Sequence, residues 1–82
     1  MDDAVNKTLE LYQTESIQDN YKDIMNQLVY LKDALNNEND RNSFSKINLN
    51  KYAQEYLTDI PGYSTLLSQA FGVMSLMKYG KL

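Results

Sequence analysis

No charged residue occurs between Ile60 and Met77. In a chain of 82 residues, 23% of them charged, this gap constrains the fold more than any other feature. Within it Leu66, Leu67, Ala70, Phe71, Val73, Met74, Leu76 and Met77 recur at helical spacing, with Tyr63 and Tyr79 at the two ends. The apolar arc is wider than one buried stripe needs. The stretch is therefore the central helix of a bundle, an interaction surface, or both. Ser64 is read as its cap and Gly80 as its C′ residue, and Lys78 suits its negative end. This predicts a helix over about 64–79. At 1.5 Å per residue it reaches about 24 Å, short of the ~30 Å hydrocarbon core. Ser64, Thr65, Ser68, Gln69 and Ser75 dilute it further, so no membrane span is expected. A helix lying on a membrane carries Lys or Arg along its polar face. Here the lysines, Lys78 and Lys81, sit only at the end.

The upstream segments read as helices that must cover this one. Asp2 and Asp3 suit the positive first turn of a helix over 2–13, with Val5, Leu9 and Tyr12 as its apolar stripe and Leu11 beside them. The stripe loses phase before Ile17, which predicts a turn or kink near 14–19. Ile17, Tyr21, Ile24, Leu28, Leu31 and Leu35 then alternate spacings of four and three, a bundle seam over 17–36. Met25, Val29 and Tyr30 widen that seam, and Gln27 lies off it. Residues 37–46 read as a polar linker. Ser45 or Asn48 can cap a third helix over 48–59, whose apolar face is Ile47, Leu49, Tyr52, Ala53, Tyr56, Leu57 and Ile60. Pro61-Gly62 is expected to end it. No sustained period-two run competes. The fold expected is all-α: one domain over 1–82, a small antiparallel four-helix bundle.

Composition removes most chemistry. With no Cys and no His, the chain has no thiol nucleophile, no disulfide and no imidazole base or ligand. It has no Gly-rich phosphate loop and no hydrolase or zinc-protease motif. Paired carboxylates such as Asp19 and Asp23 sit on solvated faces. No enzyme activity, cofactor or metal is expected. The acidic start, Met-Asp-Asp-Ala, is unlike a secretory signal, and a cytoplasmic location is expected. Residues 1–40 hold nine acids against three lysines, a balance of −6. Residues 41–82 hold two acids against five basic residues, a balance of +3. The acidic half disfavours nucleic acid as a partner, since phosphates are met by clustered Lys and Arg.

What remains is protein binding. Seven tyrosines suit an interface, although Tyr21, Tyr30, Tyr52 and Tyr56 are equally read as core-edge residues. Methionines on the fourth helix suit an adaptable contact surface. The surface expected to meet a partner is Phe71, Met74, Met77, Lys78, Tyr79 and Lys81.

Glu10-Leu11-Tyr12, Ser16-Ile17, Tyr21-x-Asp23-Ile24, Leu28 and Tyr30-Leu31-Lys32 resemble the class IIa (pediocin-like) bacteriocin immunity proteins over residues 9–35. The resemblance implies an antiparallel four-helix bundle. It also implies a protein kept inside the producing cell that shields it from its own pore-forming peptide. The implied partner is a sugar-transporting membrane permease complex with the bacteriocin bound, met at the inner face of the membrane. Two other readings fit the same residues: a phage or mobile-element regulator that binds one host protein, and a helical module that dimerises through its fourth helix.

Overall fold

The computed structural model describes residues 2–38, 44–56 and 60–80. Among them are four α-helices, one 3-10 turn and one π-turn, and no strand. Helix α1 is Asp2–Gln13 and α2 is Gln18–Leu35. A 3-10 turn, Phe44–Lys46, precedes a short α3, Leu49–Lys51, which runs on into a π-turn, Tyr52–Tyr56. Helix α4 is Pro61–Lys78. The architecture is the small four-helix bundle that the periodicity predicts.

Side-chain pairs set the direction of each neighbour. Asp2 at the start of α1 pairs with Lys32 near the end of α2, and Tyr12 near the end of α1 stacks on Tyr21 near the start of α2. Gln27 meets Asn48 while Asp23 meets Tyr52, so α3 runs back along α2. Thr8 meets Tyr63, while Asp3 and Ala4 line a cleft with Gln69, Ala70 and Val73, so α4 runs opposite to α1. Each of these pairs is antiparallel.

The turn between α1 and α2 falls at 14–17, inside the expected break. Ser16 N–H donates to Leu11 O at 3.0 Å and Glu15 N–H to Tyr12 O at 3.1 Å. Those two bonds close a Schellman motif, with Glu15 in the left-handed region at φ 66. Helix α2 ends the same way, with Asn37 at φ 59. Gly80, at φ 75, ends α4 as the sequence leads one to expect.

Several boundaries differ from the sequence reading. Pro61 does not terminate an element. It opens α4 at the first turn, where its missing N–H is not needed and its fixed φ already suits a helix. Ile60, before it, is the N-cap residue, with φ -123 and ψ 75, outside the α region that a following proline disfavours. Ser64 is therefore inside the helix, and its hydroxyl donates to the Ala53 carbonyl at 2.9 Å, tying α4 to the π-turn. The third helix expected over 48–59 is instead a three-residue α-turn and a π-turn, and residues 57–59 lie outside the described residues. Asn48 does occupy the N-cap position, yet its side chain makes no cap bond because Gln27 engages it. Of the linker expected over 37–46, residues 39–43 lie outside the described residues. Its end, Phe44–Lys46, is a helical turn, and Phe44 is buried with an edge-on contact to Tyr30.

The core is Ile24, Leu28, Leu31 and Ala34 of α2 against Leu49, Ala53, Tyr63, Leu67, Ala70, Met74 and Met77, with Ala4, Leu11, Ile17 and Phe44 closing it. On α4 the buried residues are spaced four, three, four and three, one stripe of the helix. On α1 the buried stripe is Ala4, Thr8 and Leu11, not Val5, Leu9 and Tyr12. The helix is rolled by about one residue, roughly 100° at 3.6 residues per turn. A buried threonine permits this roll. The Thr8 hydroxyl donates to Ala4 O at 2.6 Å and lies 2.7 Å from the Tyr63 hydroxyl. Thr8 has one proton, already placed on Ala4, so Tyr63 is the donor in the second bond.

Candidate partner-binding surface

The fourth-helix surface expected from the sequence is divided by the fold. Met74 and Met77 are only 5% and 4% exposed and belong to the core stripe, so they offer no contact face. Phe71 is half-buried against the core. Lys78 and Tyr79 are exposed, and Lys81 lies outside the described residues. The physical reason is angular. Positions 63, 67, 70, 74 and 77 form one line down the helix, and the long apolar Met side chains fill it.

A different surface emerges from the roll of α1. Leu9 and Tyr12, displaced from the core, are 42% and 39% exposed, and Val29 of α2 is 44% exposed. Val5 packs half-buried beside them, and Tyr12 stacks on Tyr21 with ring centroids 4.0 Å apart. Val5, Leu9 and Tyr12 follow one line on α1, Tyr21, Met25 and Val29 follow one line on α2, and the Tyr12–Tyr21 stack joins the two lines on the outer side of the hairpin. A single exposed apolar residue on a soluble protein means nothing, but several on one side mark an interaction surface. Sequence reasoning placed Leu9, Tyr12 and Val29 inside. The available signal was Thr8, flanked by Ala4 and Leu11 at helical spacing, a second stripe that a polar residue disguises.

The hairpin that carries this apolar strip is acidic. Residues 2–38 hold eight acids against three lysines, a balance of −5. Two lysines are committed within it: Lys7 to Glu10 at 3.3 Å and Lys32 to Asp2 at 2.9 Å. The Lys32 ammonium, by hydrogen bond and by charge, holds the Asp2 carboxyl below its usual pKa, and Asp2 in turn raises Lys32. Asp23 accepts from the Tyr52 hydroxyl. Glu15 and Asp19 are exposed at the tip of the hairpin, beside Tyr12 and Tyr21. The arrangement is an apolar strip with free carboxylates at the hairpin tip, which complements a surface with an apolar centre and basic residues at one edge.

Three open clefts among the described residues measure about 220, 150 and 310 Å³, at or below the lower end of the ~300–1,000 Å³ of ligand pockets. Among the described residues no three acids converge on a possible metal position, and no helix is long and apolar enough to cross a membrane. Among the described residues the one strongly shifted group is Tyr63, whose phenol burial pushes up to about 12 against the favourable bond with Thr8. It is a core residue with its hydroxyl engaged.

Comparison with curated proteins and with solved structures gives no match. The Tsi6 family model matches residues 1–76, which include α1, α2, α3 and nearly all of α4. The chain belongs to the Tsi6 family, a type VI secretion immunity family, and so provides immunity by binding a protein partner.

Proposed function

We propose that this chain neutralises a toxic effector protein by stoichiometric binding, with the outer side of the α1–α2 hairpin as the contact. The Tsi6 family match over residues 1–76 carries this reading. The hairpin supports it physically. Leu9, Tyr12 and Val29 supply apolar area to be desolvated, and Glu15 and Asp19 supply charge that steers a basic partner. No catalysis, cofactor or metal is required, because occluding the effector is sufficient. Action in the cytoplasm follows, where an incoming effector is met.

Growth protection tests the proposal. Cells expressing the cognate effector domain are expected to die without this chain and to grow with it. Loss of viability despite full expression of the folded chain overturns the reading.

The narrower bacteriocin reading rests on the resemblance over residues 9–35, which is the same hairpin. It has the hairpin meet a membrane permease already engaged by a pediocin-like peptide. Expression in a sensitive strain separates the two. Survival against one class IIa peptide supports this second reading, and killing by every peptide of that class removes it.

A further inference from the structure

Helix α4 has a second face that the core does not use. Thr65, Ser68, Gly72, Leu76 and Tyr79 fall along the line opposite the buried stripe. Leu76 is 45% exposed and Tyr79 is 74% exposed. Gly72 faces open space, since a Cβ there would meet nothing within 4 Å. A glycine inside a helix costs about 1 kcal/mol relative to alanine, and no contact among the described residues requires one at 72. We propose that this face packs against the same face of a second copy of the chain, with the two α4 helices antiparallel and Gly72 on the two-fold axis.

Charge and shape select that occupant. The chain is net negative, and two copies meeting through their acidic hairpins would repel. From Ile60 to Met77 there is no charge to oppose a second copy. In an antiparallel pair centred on Gly72, Leu76 of one copy faces Ser68 of the other, and Tyr79 faces Thr65. Each bulky side chain meets a small one, and each pairing occurs twice, as a two-fold interface demands. A parallel pair would set Leu76 on Leu76 and Tyr79 on Tyr79, and would align the helix dipoles rather than oppose them. One helix pair buries less than the roughly 800 Å² per partner of a standard interface. The dimer is therefore weak, forming at high-micromolar concentration, and it leaves the hairpin surface to the effector.

The absence of cysteine makes the test clean. Wild type in sedimentation equilibrium is expected to rise from the monomer mass toward twice that value with concentration. Leu76→Glu, which puts a charge into the face, is expected to stay monomeric with unchanged circular dichroism. Gly72→Cys meets itself across the axis and is expected to form an intermolecular disulfide on mild oxidation much faster than Ser68→Cys. A disulfide needs Cα atoms within about 7 Å, which only close approach at that point provides. A wild type that remains monomeric at its solubility limit overturns the proposal. So does Gly72→Cys cross-linking no faster than Ser68→Cys.

Discussion

Thr8 decides how the first helix sits. Its side chain is fully buried, and both hydrogen-bonding capacities are used: it donates to Ala4 O and accepts from Tyr63. The two partners are not equivalent. Tyr63→Phe removes one neutral hydrogen bond and leaves Thr8 satisfied by Ala4, so a loss of ~0.5–1.5 kcal/mol is expected. Thr8→Val keeps the volume but strands the phenol hydroxyl in the core, with an expected loss of ~1–3 kcal/mol. Urea unfolding of both variants checks the order, and a larger loss for Tyr63→Phe contradicts the assignment of donor and acceptor. The same phenol sets an alkaline limit. Its pKa is about 12 in the folded chain against about 10 when exposed, so folding favours the protonated form. The resulting stability is complete below pH 10 and disappears as pH rises toward 12, a change of about 2 to 3 kcal/mol. Tyr63→Phe is expected to flatten that part of the stability–pH curve. An identical fall in both proteins would place the alkaline sensitivity elsewhere.

Among the elements, α2 was the most legible in the sequence and α3 the least. Ile17, Ile24, Leu28 and Leu31 are buried as their spacing predicts, because a long seam averages out local exceptions. Gln27 and Ala34 are buried too, and no hydropathy pattern finds the first of them. Its amide is paid for by Asn48, whose backbone N–H donates to Gln27 Oε1 at 2.8 Å and whose side chain accepts from Gln27 Nε2. Pro61 was misread because proline both ends and begins helices, and the choice depends on where the preceding chain arrives. The short α3 and its π-turn are held by Gln27 of α2 and Ser64 of α4, contacts that local periodicity does not record. The partner surface was legible in kind but not in place. The sequence signals surplus apolar residues, while Thr8 decides that Leu9 and Tyr12 are among them. One local strain is directly testable. Glu15 holds a left-handed conformation that ordinarily favours glycine. Glu15→Gly is expected to raise stability by up to ~1 kcal/mol, since relief of strain exceeds the added freedom of the unfolded chain. A fall in melting temperature would show that Glu15 makes a compensating interaction.

At the scale of the whole molecule, a small core leaves the outer side of the α1–α2 hairpin and one side of α4 exposed. A chain of this size buries only about 60% of the surface its unfolded form exposes, so its stability is sensitive to single core changes. Leu28 is completely buried at the centre. Leu28→Ala is expected to cost ~2–5 kcal/mol, enough to unfold a large fraction of the molecules. A cost below ~1 kcal/mol in thermal unfolding would mean that α2 is not the core seam. Leu9, Tyr12 and Val29, by contrast, contribute little to that core and remain open to a partner. This division between a satisfied interior and an apolar, acid-rimmed hairpin is what makes binding the natural mode of action for a Tsi6-family chain. Calorimetric titration of the purified effector domain with the immunity protein, as wild type and as Leu9→Asp/Val29→Asp, tests this most directly. The account expects a tight one-to-one complex for wild type and at least a hundredfold weaker binding for the folded variant, about 2.8 kcal/mol at 1.4 kcal/mol per tenfold. Equal affinity of the two proteins would contradict it.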